Sequence, residues 1–128
     1  MAIRILQLGS KRQKGEGLRI GSVRRPPRAV PKNEFASRDY YDVWLPQLSP
    51  SQKLVNAALR ASTDREWKAF VKSYRREMSQ PQTARLLDLL AALSHTSAFS
   101  LGCYCEDEQR CHRSVLRLLL RERGALLR

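Results

Sequence analysis

The chain has 128 residues, 42% of them hydrophobic and 28% charged, which is the size and composition of one globular domain. Its 24 basic and 12 acidic side chains give a net charge of +12, and no apolar run approaches the roughly 20 residues of a membrane span. We therefore expect no membrane segment and a cytoplasmic location, where three cysteines are thiols, metal ligands or catalysts rather than disulfides.

The positive charge is concentrated near the N-terminus. Residues 1–38 contain ten lysines and arginines against only Glu16 and Glu34, a net charge of +8, whereas the other 90 residues carry +4. This asymmetry favours an anionic partner for the N-terminal third, either nucleic acid, a nucleotide or another phosphate. A solvated, solubilising surface is an equally good explanation of the charge.

Two short strands are predicted in this basic segment. Hydrophobic residues alternate over Ala2–Leu8, and a second run covers Leu18–Val23, where Gly21 allows another part of the backbone to approach closely. The polar loop between them, Lys11–Gly17, matches neither a Walker loop nor a dinucleotide fingerprint, so we interpret it as a mobile basic loop.

Arginines and prolines follow the second predicted strand. Pro26, Pro27 and Pro31 exclude a helix and fix an extended path, so the neighbouring arginines are held on a stiff backbone. A guanidinium group placed in advance loses little entropy when it binds a carboxylate or a phosphate. We therefore predict Arg24 and Arg28 as ligand-binding residues.

An aromatic segment, Asp39–Pro46, comes next. Its three aromatic side chains within five residues are typical of a core or loop anchor, and Tyr41 is also a candidate to face a ligand pocket.

Four amphipathic helices are predicted in the rest of the chain. Ser49-Pro50-Ser51 is typical of a helix start with proline at the first helical position, and Thr63 with Glu66 forms a capping-box pattern. Gly124 suits a left-handed residue that ends the last helix. The predicted helices cover residues 50–61, 64–78, 82–94 and 110–123.

A third strand, Ala98–Tyr104, precedes the last helix. This alternation predicts a single α/β domain over residues 1–128, with a small, mainly parallel sheet flanked by helices in a Rossmann-like three-layer arrangement. Ligands bind beyond the carboxyl ends of such strands, so the residues after Ala98–Tyr104 are expected at the functional edge.

The three cysteines and one of the two histidines lie within Cys103–His112. If a helix begins near residue 110, Cys111 lies in its first turn, where the backbone N–H groups favour a thiolate. We predict that Cys111 is a partly exposed thiol with the lowest pKa of the three, because Cys103 lies in an apolar strand. Catalytic roles are predicted for Cys111, His112 as a base, and Cys103 as a resolving partner.

Two alternatives to thiol chemistry remain open. Cysteine and histidine are ligands that zinc and iron accept, so Cys105 and Cys111 are candidate metal ligands, although adjacent Cys111 and His112 rarely point to one ion. The second alternative is that the three cysteines are small buried hydrophobic residues. Cys103 and Cys105 are predicted to be poor partners for each other, because residues two apart on an extended strand are widely spaced.

The order of these motifs resembles the family known as domain of unknown function 488, in its short, single-domain bacterial branch. The resemblance depends on the Arg24–Arg28 segment, Trp44–Ser51, Trp67–Met78 and, most specifically, Cys103 with Cys111-His112-Arg113 eight positions on. It implies a compact cytosolic α/β domain whose sheet edge carries the Cys-His-Arg signature.

Two departures from the family pattern concern the candidate site. Cys105 stands where family members usually have glutamate, and Pro26 stands where this branch usually has tryptophan. The first departure adds a third thiol to the site, and the second alters the arginine motif.

Together these observations favour thiol-dependent chemistry on an anionic ligand that bears a phosphate or a nucleotide, with Arg24, Arg28, Arg113 and Tyr41 as ligand-binding residues. The alternatives are a non-enzymatic nucleic-acid-binding module and a metal-binding protein. No cofactor is the favoured expectation, with zinc or iron as the next choices.

Overall fold

The computed structural model describes all 128 residues and contains four strands and four helices. The strands are β1 (Ala2–Gln7), β2 (Leu18–Gly21), β3 (Val43–Trp44) and β4 (Ala98–Cys103). The helices are α1 (Gln52–Arg60), α2 (Asp64–Met78), α3 (Pro81–Leu93) and α4 (His112–Glu122). The predicted α/β class, with a small sheet flanked by helices in a Rossmann-like three-layer arrangement, is confirmed.

The sheet is entirely parallel, in the order β1-β4-β2-β3. The last strand in the chain, β4, is therefore central and pairs with β1 on one side and β2 on the other. Its register aligns Cys103 with Gln7 and Gly102 with Gly21. The carboxyl ends of β1, β2 and β4 consequently lie at one edge of the sheet.

The main core lies between the sheet and the four helices. Phe99 and Leu101 of β4 pack with Ile3 of β1 and with apolar side chains of α2, α3 and α4 in one cluster of 14 buried residues. The i, i+3 and i+4 spacing of those helical side chains is the pattern that predicted the helices. None of the helices combines the length and apolar character needed to cross a membrane.

The third layer, on the other face of the sheet, is formed by the loops after β1 and β2 and their short turns rather than by long helices. Ser100 of β4 donates a hydrogen bond to the carbonyl oxygen of Glu16 in the β1–β2 loop, at 3.0 Å. A Cβ atom on Gly21 would overlap the ring of Tyr41, so the close approach predicted at this glycine is made by that ring.

The boundaries of three helices differ from the prediction: α1 and α4 start two residues later and end one residue earlier, and α3 lies one residue earlier at both ends. Helix α1 starts at Gln52, not at Pro50, because Ser51 is the N-cap and its Oγ accepts from the Leu54 amide. Helix α4 starts at His112, because Cys111 has the extended backbone of an N-cap (φ −130°, ψ 150°) after a short 3-10 turn. The Thr63–Glu66 capping box of α2 and the positive φ of Gly124 are both confirmed.

Candidate functional site

The turn after β4 brings the cysteines together. Strand β4 ends at Cys103, the chain then turns through Tyr104 to Cys105, and Cys111 begins the helix that leads back along the sheet. Because β4 is central in the sheet, this turn lies in the middle of the carboxyl edge. Strand end and helix start therefore place all three thiols at the same point.

The sulfur atoms are close to one another. The Sγ atoms of Cys103 and Cys105 are 3.8 Å apart and are not bonded to each other, but they lie closer than the expectation of two widely spaced residues implied. That expectation assumed an extended strand, but the strand ends at Cys103 and the turn folds Cys105 back. The side-chain ligand atoms of Cys103, Cys111 and His112 lie within 4.8 Å of one another, so the adjacent Cys111 and His112 do point to one centre.

His112 has a defined tautomer. Its Nε2 lies 2.7 Å from the carbonyl oxygen of Ser22, and a carbonyl can only accept, so Nε2 carries a hydrogen. The Ser22 hydroxyl, 3.2 Å from the same nitrogen, is already oriented by donating to the Gly102 carbonyl. In the neutral ring, Nδ1 consequently has a free lone pair, and it lies 3.8 Å from the Cys111 Sγ.

Arg113 closes the cluster from the helix side and is only 3% exposed. Its Nε donates to the Cys111 Sγ at 3.5 Å, and its Nη2 donates to the Cys105 carbonyl oxygen at 2.6 Å. Arg113 pairs with no carboxylate, because Glu108 pairs with Arg117 instead. The positive charge of Arg113 therefore faces the sulfur atoms.

The three thiols differ in accessibility. Cys111 is 2% exposed and Cys103 is 7% exposed, whereas Cys105 is exposed. The prediction that Cys111 is partly exposed is wrong. The reason is its position as the N-cap, which turns its side chain inward among Leu8, Val23 and Tyr41 rather than outward from the first turn.

The environment sets the order of the thiol pKa values. Hydrogen bonds from the Cys103 and Cys105 thiols hold the pKa of Cys111 far below its ordinary value, against the opposing effect of burial. The pKa of Cys103 is raised because its thiol donates to Cys105 and Cys111 and is buried. For Cys105, the bond from Cys103 lowers the pKa, but donation to Cys111 and burial raise it overall. The directions of these shifts favour the thiolate form at Cys111, the thiol expected to have the lowest pKa.

The arginines predicted to bind one ligand lie in three different environments. Arg24 donates three hydrogen bonds to the carbonyl oxygens of Ser49 and Pro50, and so fixes the segment before α1. Arg113 faces the sulfur cluster. Arg28 is exposed and its side chain makes no hydrogen bond or ion pair, so it is the arginine of the three that is free to bind a ligand.

A crevice of about 630 Å³ lies beside the cysteines at the same edge of the sheet. Its walls come from the loops after β1 and β2, together with two tyrosine rings, and the lining residues are Gln7, Leu8, Gly9, Ser10, Pro26, Pro27, Arg28, Tyr40 and Tyr104. Tyr104 lies between Cys103 and Cys105 in the chain, so the crevice and the sulfur cluster share a wall.

The sequence predicted that Tyr41 faces a ligand pocket, but the tyrosine that lines the crevice is Tyr40. Tyr41 is 4% exposed and packs under the crevice with Leu8 and Cys103, where its hydroxyl has no hydrogen-bond partner. Burial raises the pKa of Tyr41, and it also raises that of Tyr104, to which Tyr41 and Cys103 contribute. The ligand-binding roles of Tyr41 and Arg24 stay predictions.

Several lining residues were missed from the sequence, namely Gln7, Ser10, Tyr40 and Tyr104. The signal that identifies them is position, since Gln7 ends β1 and Ser10 and Tyr104 each follow the end of a parallel strand. Ligand crevices in α/β sheets lie outside those ends. Gln7 also ties two of these loops together, because its Nε2 donates to the Tyr104 carbonyl oxygen at 3.0 Å.

Comparison with known proteins gives one family match and leaves the reaction open. No curated protein and no solved structure matches the chain. The model of the family DUF488-N3a, described as the active DUF488-N3 subclade, matches residues 3–124 and so covers both the crevice and the cysteine cluster. The chain therefore belongs to the DUF488 family.

Proposed function

We propose that this domain binds a small anionic ligand, bearing a phosphate or a nucleotide, in the crevice at the carboxyl edge of the sheet. The observation that carries the proposal is the guanidinium of Arg28, which lines the crevice and has no internal partner. Guanidinium groups bind phosphate oxygens through paired, charge-assisted hydrogen bonds. Pro26 and Pro27 restrict the backbone before Arg28, so little backbone freedom is lost on binding.

The crevice also suits the rest of a nucleotide. Its volume of about 630 Å³ falls within the range of small-molecule sites. Tyr40 and Tyr104 are both partly exposed, and their ring centres lie 6.2 Å apart in an edge-to-face arrangement. The Tyr104 ring is fixed by the bond from its hydroxyl to the Arg25 carbonyl oxygen, 2.9 Å. A base that stacks on a fixed aromatic ring gains about 1–3 kcal/mol.

Burial restricts this proposal to binding. Thiol-dependent chemistry needs a sulfur that a substrate can reach, and Cys111 is enclosed by Cys103, His112 and Arg113. Cys105 is exposed, but its hydrogen bond to Cys111 raises its pKa, which opposes attack by its sulfur. Catalytic roles for Cys111, His112 and Cys103 stay predictions.

The test is calorimetric titration with adenosine 5′-monophosphate and, separately, with inorganic phosphate. We expect Arg28→Gln to weaken binding of the nucleotide by about 10- to 100-fold, the value of one hydrogen-bonded charge. Arg121→Gln is the matched control, because the Arg121 side chain is exposed, makes no hydrogen bond or ion pair and lies near the end of α4 away from the carboxyl edge. Its affinity for the nucleotide should equal that of the unchanged protein.

Equal weakening by Arg28→Gln and Arg121→Gln would contradict the proposal, and so would no binding at all. A nucleic-acid-binding module, the alternative that the net charge of +12 favours, predicts a different result. It predicts tight binding of a single-stranded oligonucleotide, weakened by salt with a log–log slope of about 0.7 for each phosphate contacted. The mononucleotide would then bind far more weakly than the oligonucleotide.

A further inference from the structure

We propose that Cys103, Cys105, Cys111 and the Nδ1 of His112 form a four-ligand zinc site. The inference goes beyond the proposed function, and neither rests on the other. Three thiolates and one imidazole are among the ligand sets of tetrahedral structural zinc. The carboxyl end of the central strand and the start of α4 supply all four, so the site joins two elements that are already fixed by the core.

The Sγ–Sγ distance between Cys103 and Cys105 and the Sγ–Nδ1 distance between Cys111 and His112 are close to those between ligands of tetrahedral zinc. With zinc–sulfur bonds of about 2.3 Å, two sulfur atoms of a tetrahedron are about 3.8 Å apart. The Sγ atoms of Cys103 and Cys105 are 3.8 Å apart, far beyond the length of a disulfide bond. The Cys111 Sγ lies 3.8 Å from the His112 Nδ1, and Cys103, Cys111 and His112 place their ligand atoms within 4.8 Å of one another.

The outer contacts are those that a zinc-bound histidine needs. A ligating imidazole donates its other N–H to a carbonyl or a carboxylate, which fixes the tautomer and the ring orientation. His112 donates Nε2–H to the Ser22 carbonyl oxygen at 2.7 Å, which leaves the Nδ1 lone pair directed at the sulfur cluster. The ring is held further by edge-to-face packing against Tyr74, with ring centres 5.6 Å apart.

The charges also balance. Zinc with three thiolates and a neutral imidazole carries a net charge of −1. Arg113 is 3% exposed, has no carboxylate partner and donates to the Cys111 Sγ and to the Cys105 carbonyl oxygen. Its single positive charge neutralises the site without any further ion. Thiolate ligands also make the site selective for zinc over the harder cations that prefer oxygen.

The probe is Co²⁺ added to reduced, tag-free, metal-free protein, followed by displacement with Zn²⁺. We expect one equivalent of Co²⁺ to give the intense absorption of tetrahedral thiolate coordination, and one equivalent of Zn²⁺ to abolish it. Binding of zinc should also raise the melting temperature, because the folded state alone assembles the four ligands.

Cys105→Ser tests the fourth ligand, and it should fold because Cys105 is exposed and outside the core. Loss of an outer-shell contact costs about 10–100-fold in metal affinity, so loss of this ligand should cost at least about 100-fold. His95→Gln is the control, because His95 is exposed and bonds only to the Gly124 carbonyl oxygen. Its zinc affinity should be unchanged.

Three results would overturn the inference: absence of the thiolate–cobalt absorption, a stoichiometry well below one, or equal zinc affinity of Cys105→Ser and the unchanged protein. The first two would favour a metal-free arrangement in which a Cys111 thiolate pairs with Arg113. In that case Zn²⁺ would not protect Cys105 from alkylation, whereas the zinc site predicts full protection by one equivalent.

Discussion

At the scale of single residues, the buried ion pair between Arg19 and Glu16 stabilises the fold and is not accessible to a ligand. Arg19 is 1% exposed and Glu16 is 4% exposed, and the two form an ion pair beneath the β1–β2 loop. Arg19 also donates to the carbonyl oxygens of Ser10 and Asp39, at 2.7 and 2.6 Å. One guanidinium thus fixes two of the loops next to the crevice.

We expect Glu16→Gln to destabilise the protein by about 3 kcal/mol at neutral pH, because it leaves the buried charge of Arg19 without its partner. The control is Glu34→Gln, whose carboxylate makes no hydrogen bond or ion pair. The measurement is urea unfolding at pH 7. Equal losses in the two variants would mean that the buried pair contributes nothing specific.

The same pair predicts the acid sensitivity of the fold. Burial would raise the pKa of Glu16, but hydrogen bonds from Arg19 and from the Gln13 amide outweigh it and lower the pKa below its ordinary value of 4.5. A carboxyl group with a lowered pKa stabilises the fold above that ordinary value, and this contribution is lost as the pH falls below it. Unfolding free energies measured from neutral to acidic pH should therefore fall less steeply for Glu16→Gln than for the unchanged protein.

At the scale of elements, the close contact between the β1–β2 loop and β4 excludes side chains at one glycine of that loop. Gly17 has a φ of +74°, and a Cβ atom there would overlap the backbone carbonyl of Ala98 at the start of β4. Gly124 has a φ of +80°, but no heavy atom lies within 4 Å of the corresponding position. A substitution at either glycine therefore strains a left-handed backbone, but only at Gly17 does the new side chain also overlap another part of the backbone.

We expect Gly124→Ala to cost about 1 kcal/mol, the strain of a left-handed alanine. Gly17→Ala should cost more than about 3 kcal/mol, because the rigid backbone of the central strand pair cannot move aside. Urea unfolding of both variants checks this. Similar losses would show that the loop moves away from β4 without cost.

The helices and three of the strands could be predicted from the sequence because each carries a local signal. The capping box at Thr63 and the apolar period of α2 fixed that helix to the residue. Strand β3 could not be predicted, because it has only two residues, Val43 and Trp44, and both side chains are exposed. Their strand geometry comes from pairing with β2, which is a tertiary contact.

The candidate site was also predicted only in part, because some of its features have a local sequence signal and others depend on tertiary contacts. The sequence located the Cys-His-Arg segment and the thiol with the lowest pKa, although the hydrogen bonds from Cys103 and Cys105 that lower that pKa were not predicted. The approach of Cys105 to Cys103, the burial of Cys111 and the bonds of Arg24 to Ser49 and Pro50 depend on how distant segments pack. No local pattern encodes those contacts.

At the scale of the whole molecule, fewer basic side chains of the N-terminal third are free to bind a ligand than their number indicates. Of its ten basic side chains, four are used internally: Arg4 bonds to Gln13, Arg12 to Asp42, Arg19 to Glu16 and Arg24 to backbone carbonyls. The remaining side chains are exposed, and Arg28 is the one that lines the crevice. Of the six exposed basic side chains, Arg28 is therefore the one placed to bind an anion in the crevice.

An amide chemical-shift titration with adenosine 5′-monophosphate tests that claim most directly. We expect the largest chemical-shift changes at the amides of Gly9, Ser10, Arg28 and Tyr104, at the carboxyl edge of β1, β2 and β4. Arg28→Gln should remove these changes. Shifts spread over the basic β1–β2 loop and the exposed faces of the helices, or no shifts at all, would contradict it.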